Sequence, residues 1–446
     1  MKSALLLALA LWASNGVLAQ VPKIDSLQRA VLKQQSPEAE SITWQQLAVA
    51  FIQAGDLQRG QDAAEQAMRL AKKAGSSRAL GYAHYAQAAV YEFQGNYTTC
   101  IPAYREAIKW ADLSGESLHA LKCSNNLGSA YMAVGQPDSA SAAFRDTYRK
   151  ALKLNLPYFS AVSQLNLGII ASMQSRPIEA IQHFQRGKAF VKPDSHAALH
   201  AYFLLNLGFL FRDVQSPREA KVYFQQAADL LARCQCDVRS LGLVLYQLAS
   251  MAEEVNIQLG LIQKAREAAE QMQDIGTLTH LEILEGSMAI KANNLELAKA
   301  HYEKALAMAK QTSEQEVQIA AYLAASEYYL LNGSLNQARI YANKSIKLSQ
   351  QVGAVASIKM SHKMLYQVDS AQGRFEQALY HHQQFKHYTD SLRNRDNAYA
   401  VGRLEADHAA QAQKERARMD RERANVQLNQ ARLMFGGALV GVALLG

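Results

Sequence analysis

The chain has 446 residues, a formal net charge of +8, and 49% apolar residues, enough for a continuous core. Only 8 prolines interrupt a composition rich in Ala, Leu and Gln, which favours helix throughout and leaves little material for β-sheet. The positive charge is thinly spread, with 19% charged residues and no basic stripe interleaved with aromatics, which argues against a nucleic-acid partner.

Residues 1–19 read as a secretory signal peptide. Lys2 supplies the positive start, Ala4 to Trp12 an apolar run too short to span a bilayer, and Val17-Leu18-Ala19 a small-residue cleavage site, with cleavage expected before Gln20. No cysteine follows that run, which argues against a lipoprotein anchor, so the mature chain is expected to be exported. Residues 20–40 form an N-terminal lead-in.

Over residues 41–390 a frame returns every forty residues. Trp44, Leu47, Ala48, Phe51, Gly55, Gly60, Ala64 and Ala67 reappear as His84, Gln87, Ala88, Tyr91, Gly95, Cys100, Tyr104 and Ala107. The next copies carry Leu127, Gly128, Tyr131, Gly135, Ala140 and Phe144, then Leu167, Gly168, Ala180 and Phe184, then Leu207, Gly208, Phe211, Ala220 and Phe224. Weaker copies run through Leu248-Ala249, Gly286 with Ala298 and Tyr302, Gly333 with Ala338, and Gly373 with Ala378, so about nine helix pairs are predicted. The small residue at Ala48, Gly128, Gly168 or Gly208 lets the second helix of a pair press against the first, and the aromatic three later is expected to fill the space beside that contact. Gly55, Gly95, Gly135, Gly333 and Gly373 supply the tight turn. Pro137, Pro177 and Pro217 follow it where a helix tolerates proline, because its first N–H has no partner.

This frame resembles the tetratricopeptide repeat family. The resemblance implies an all-α, tetratricopeptide-type α-solenoid: antiparallel helix pairs stacked in a right-handed superhelix, with the first helices lining the concave face. The period of about 40 exceeds the usual 34 or so. The sixth copy, Leu245 to Ala268, has lost its aromatic and turn residues. One pair cannot bury its own apolar faces, which is why many copies stack.

Residues 391–432 read as a long charged helix with a thin apolar seam, either a single exposed helix or a coiled coil joining two copies in a homodimer. Residues 433–446 are uncharged and look like the start of a transmembrane helix, reaching ~21 Å of the ~30 Å of hydrocarbon. Arg416 to Arg432 would then lie outside, against the positive-inside tendency, and the signal peptide is taken to outweigh that. This order of segments resembles bacterial membrane sensors of the same repeat class, in which the span leads to a histidine kinase or helix-turn-helix output domain. No such module is contained in the chain.

No G-x-S-x-G, P-loop or H-E-x-x-H motif is present, so no active site and no cofactor are predicted, and the chain is read as a binding protein and not an enzyme. His196 and His200, and His381-His382 with His387, are too loosely spaced to define a metal site. Cys100 reads as a small buried hydrophobe, and the two-residue spacing of Cys234 and Cys236 strains a direct disulfide, leaving their oxidation state open, and lacks the second pair that zinc needs.

The first helices of the central copies are more informative. Leu165, Ile169, Tyr202 and Phe209 are expected to line the concave groove, beside Asn126, Asn166 and Asn206 at one repeat position in three successive copies. Groove-binding members of the family use Asn there to grip an extended peptide, which the resemblance carries to these three residues. The expected partner is a protein or peptide in the groove. Its amides are expected to be solvated in the free protein, so that alanine there would weaken binding without affecting folding. The chain thus reads as an extracytoplasmic sensor module, the alternative being a static envelope scaffold.

Overall fold

The computed structural model describes residues 17–392 other than Gln35, Ser175 and Gln215, with side chains from Ile24 onward. Every regular element among the described residues is a helix. A leading helix, α1 (Val17–Val31), precedes eight pairs. These are α2 (Pro37–Gln53) with α3 (Leu57–Ala74), α4 (Ser77–Phe93) with α5 (Tyr97–Leu113), α6 (Ser117–Ala133) with α7 (Pro137–Lys153), and α8 (Pro157–Met173) with α9 (Pro177–Ala189). Then come α10 (Ala197–Asp213) with α11 (Pro217–Cys234), α12 (Val238–Ser250) with α13 (Val255–Gln271), α14 (Ile275–Lys291) with α15 (Leu295–Ala309), and α16 (Gln315–Leu331) with α17 (Leu335–Val352). A ninth pair joins α18 (Val355–Ala371) to a helix over 375–392.

First helices start at Pro37, Ser77, Ser117, Pro157 and Ala197, forty residues apart, as the sequence frame requires. The lead-in is not featureless: Ile24 of α1 is buried against α2 and α3, with Leu27 and Val31 packed alongside. The first three residues of α1 belong to the expected leader, whose other residues, 1–16, lie outside the described ones. So do 393–432 of the charged segment and the apolar 433–446. Among the described residues no helix is long and apolar enough to cross a membrane.

Local chemistry sets the helix ends. Ser36, Asp56, Ser76, Asn96, Asp237, Asp274 and Asn294 each accept a backbone N–H of the first turn. Gly55, Gly95, Gly135, Gly333 and Gly373 all adopt positive φ, between 71° and 81°, in the turn within a pair. Pro137, Pro177 and Pro217 open α7, α9 and α11. The short α9 stops at Ala189, four residues before Pro193, whose ring disfavours helical backbone in the residue before it.

The close contact within a pair differs from the expected one. The ring that fills the space against the glycine comes from the second helix, sixteen residues on: Phe144 against Gly128, Phe184 against Gly168, Phe224 against Gly208 and Tyr302 against Gly286. A Cβ at Gly208 would stand 2.6 Å from the Phe224 ring, and one at Gly286 2.7 Å from that of Tyr302. Where the first helix carries alanine, at Ala48 and Ala249, the facing residues are Ala64 and Ala265, all four 0–2% exposed. A ring therefore goes with glycine in four copies and methyl meets methyl in two, whereas the second pair sets Ala88 and Tyr104, both 0% exposed, in one core. The aromatic three after the glycine packs elsewhere, Phe211 stacking on Tyr223 at 5.3 Å.

The sixth pair closes despite its lost signals. Met251 to Glu254 replace the glycine turn, α12 is only 13 residues long, and Ala249, Ile262, Ala265 and Leu281 form a common core. Gln258 Nε2 donates to the Ala249 carbonyl at 3.1 Å, satisfying one of the orphan acceptors at the end of α12.

Candidate binding groove

The three asparagines share a repeat position but not an environment. Asn126 Nδ2 donates to the phenol oxygens of Tyr85 and Tyr104, both at 3.3 Å, and Tyr104 in turn donates to Glu92 Oε2 at 2.5 Å. Asn166 Nδ2 donates to Asn125 Oδ1 at 3.2 Å, crossing from α8 to α6. Asn206 Nδ2 donates back to the Tyr202 carbonyl one turn earlier at 2.8 Å. All three are 4–6% exposed, so their amides are occupied inside the protein and not solvated.

Leu165, Ile169, Tyr202 and Phe209 are likewise 1–7% exposed. Phe209 lies edge-on to Phe224 at 5.3 Å, and the Tyr202 hydroxyl donates to Asp237 Oδ2 at 2.6 Å, tying the fifth pair to the cap of α12. Every residue from Ser160 to Ala171 of α8 and from Ala201 to Phe211 of α10 is buried.

Two residues that the repeat pattern alone does not single out complete the polar chain. Asn125 is half-buried and accepts from Asn166, and Glu92 terminates the chain. Burial pushes the Glu92 carboxyl up to about 7, against the opposing effect of the Tyr104 hydrogen bond. The Asn-Asn doublet at 125–126 was the available signal, since the second amide of a doublet points about 100° around the helix from the first. Removing Asn126 leaves two buried phenols short of a donor. Asn126→Ala is therefore expected to lower stability by about 1–3 kcal/mol, read as a shifted urea midpoint with unchanged slope.

Among the described residues one group could present three metal-ligand atoms, Glu282, Glu285 and His301. Its chemistry is that of an ion network instead. Buried Glu282 accepts from Arg266, Lys304 and His301, each at 2.8 Å. Burial alone would raise its pKa, and the hydrogen bonds from Lys304, His301 and Arg266 reverse that and hold it low. His196 turns to Ser195 Oγ at 2.9 Å, and His200 Nδ1 is buried without a hydrogen bond. His381 meets His362 of α18, their Nδ1 atoms 2.9 Å apart, whereas His382 packs on Tyr366 and His387 on Tyr388.

Antiparallel helix pairs of fixed period, closing on a small residue and turning on glycine, define a tetratricopeptide-repeat solenoid. The family model "Tetratricopeptide repeat" matches residues 82–112, which lie in α4 and α5. No curated protein sequence matches the chain. Solved structures that share the fold include two with a TM-score above 0.5. Aspartyl phosphate phosphatase F from Bacillus subtilis is 12% identical with a TM-score of 0.52, over 78% of this chain and 93% of that one. The apo form of the quorum sensor NprR from B. thuringiensis is 15% identical with a TM-score of 0.51, over 87% of this chain and 98% of that one.

Proposed function

We propose that the array is the sensing part of an exported, membrane-anchored signalling protein and that it holds an extended protein or peptide segment along the first helices of its central pairs. The observation that carries this reading is α8, whose seventeen residues include no charged side chain. A first helix that faced water on the side away from its second helix would be charged there. Instead α8 is buried from Ser160 to Ala171, so a ligand would meet this apolar layer at its half-buried edge. The half-buried amide of Asn125, able to donate and accept at once, suits a peptide bond at the edge of that apolar face. Export rests on the pattern of residues 1–19, membrane attachment on 433–446, and self-association on 391–432.

The test is selection from a displayed peptide library on the full chain in detergent micelles. Enriched peptides should alternate apolar and polar residues, and Asn125→Asp should weaken them about tenfold, or ~1.4 kcal/mol, with helical content unchanged. Peptides that bind wild type and the folded variant equally would sink the groove reading. A static envelope scaffold is favoured by a separate observation, the exposed Val255, Ile257 and Leu259 of α13, at 60%, 52% and 48%. The codons after Gly446 separate the two: a continuing span with an output domain supports sensing, and a stop codon supports the scaffold.

A further inference from the structure

Cys234 and Cys236, whose close spacing strains a bridge, are joined in a disulfide. Their Cα atoms are 5.0 Å apart, within the ordinary range, because Gln235 between them adopts left-handed backbone at φ +49°. At other junctions between pairs that conformation falls to glycine at Gly75, Gly115 and Gly353, and to Asn155 and Gln273 without a disulfide beside them. The disulfide also sits where the frame slips: the first helix after it starts at Val238, 41 residues after Ala197 instead of forty.

A bridge closing so short a loop removes few unfolded conformations and adds little to the fold as a staple. Its position points to another use. Cys236 is exposed and Cys234 half-exposed, whereas Cys100 and Cys123 are 0% exposed, with burial pushing the Cys100 thiol up to about 12 and the Cys123 thiol up as well. Thiolate chemistry from solution is therefore directed to this one pair. The residue after Cys236 is Asp237, a buried carboxylate that accepts from the Ser240 amide at 3.1 Å, from Ser240 Oγ at 2.6 Å and from Tyr202 OH at 2.6 Å.

We infer that Cys234–Cys236 is a reversible thiol–disulfide modification site whose oxidised form locks the α12 cap to Tyr202 of α10. The reductant is a dithiol. Its thiolate attacks the exposed Cys236 sulfur, forming a mixed disulfide and releasing Cys234 as thiolate, which takes up a proton. The second thiolate of the dithiol then attacks its own sulfur in that mixed disulfide, releasing Cys236 and leaving the dithiol oxidised by the two electrons the protein gains. Without the bridge Gln235 is held in the left-handed region by packing alone, and the Asp237 cap beside it opens more readily.

The experiment titrates the full chain in dithiothreitol redox buffers, traps thiols with N-ethylmaleimide and maps them by peptide mass spectrometry. Hydrogen–deuterium exchange follows on the oxidised and reduced forms and on C234S/C236S. The expected result is labelling of Cys234 and Cys236 ahead of Cys100 and Cys123, with exchange at Ser240 and Leu241 about tenfold faster in both the reduced protein and the double variant, and α4–α6 unchanged. A bridge that dithiothreitol does not open overturns the inference. So does a reduced form, or a double variant, whose α12 exchanges like the oxidised wild type.

Discussion

Replacing Phe224 by alanine should lower stability by about 3–5 kcal/mol, the range for emptying the volume of a buried aromatic ring. Phe224 is 0% exposed and lies against Gly208, where a Cβ would stand 2.6 Å from the ring. From the other side of the same contact, Gly208→Leu should cost about 1–3 kcal/mol by overpacking. The double variant Gly208→Ala/Phe224→Ala recreates the methyl-on-methyl contact already present at Ala48–Ala64 and Ala249–Ala265. It should therefore lose less than the sum of Gly208→Ala and Phe224→Ala, by ~1 kcal/mol or more, as contacting residues generally couple. Urea unfolding of the four proteins measures the cycle. Strict additivity would mean that ring and glycine are not one contact. Because repeats couple mainly to their neighbours, faster hydrogen exchange should reach α8–α13 and leave α2–α5 and α16–α18 alone.

The second large effect is loss of stability as pH falls from 6.5 towards 4. Three histidines on three different first helices are each held neutral, with pKa values lowered to about 4: His119, His280 and His362. Burial is the main cause in all three, joined at His362 by the neighbouring His381. His119 stacks on Tyr82 with ring centroids 3.8 Å apart, and His280 stacks on Tyr246 at 5.2 Å. In the His362–His381 pair one Nδ1–H can serve both rings, and a second proton would set two N–H groups against each other across 2.9 Å. The other groups around that pair are Asp369 of α18, held by Arg339 of α17, and Tyr380 and Tyr388 of the last helix.

The unfolded chain takes up these protons from about pH 6.5, and the folded protein only near pH 4. Their contribution is therefore complete above 6.5 and is lost as pH falls to about 4, by about 3 kcal/mol for each histidine as an order of magnitude. Glu92 runs the other way. Its folded pKa of about 7 lies above the ordinary carboxylate value, so the folded state gains relative stability as pH falls towards 4.5 and partly offsets the loss. Urea midpoints at pH 7.5 and 4.5 measure the sum. His119→Phe, which keeps the stack on Tyr82 and removes the titration, should flatten its share of the slope. An unchanged slope in that variant would show that His119 is not held neutral in the folded protein.

The sequence by itself determined the repeat, its period, the nine pairs and the turns, because each of these is local. Gly55, Gly95 and Gly135 mark positive φ within a few residues of chain, and Pro137, Pro177 and Pro217 mark helix starts. The sequence also carries the partner of each glycine, although the aromatic three residues later is the nearer candidate. Gly128, Gly168, Gly208 and Gly286 each precede an aromatic by sixteen residues, whereas Ala48 and Ala249 precede an alanine and Ala88 precedes Tyr104. That spacing is fixed by the hairpin and repeats inside the chain. Tertiary structure alone decided what each asparagine touches. The repeat makes Asn126, Asn166 and Asn206 equivalent in position, but the first two bond to Tyr85 and Tyr104 and to Asn125, side chains on neighbouring helices that do not repeat. The third bonds back to the Tyr202 carbonyl of its own helix. The disulfide was hidden for a related reason. A two-residue spacing closes only when the residue between turns left-handed, and Gln235 does so because the end of α11 and the start of α12 are already placed by their packing.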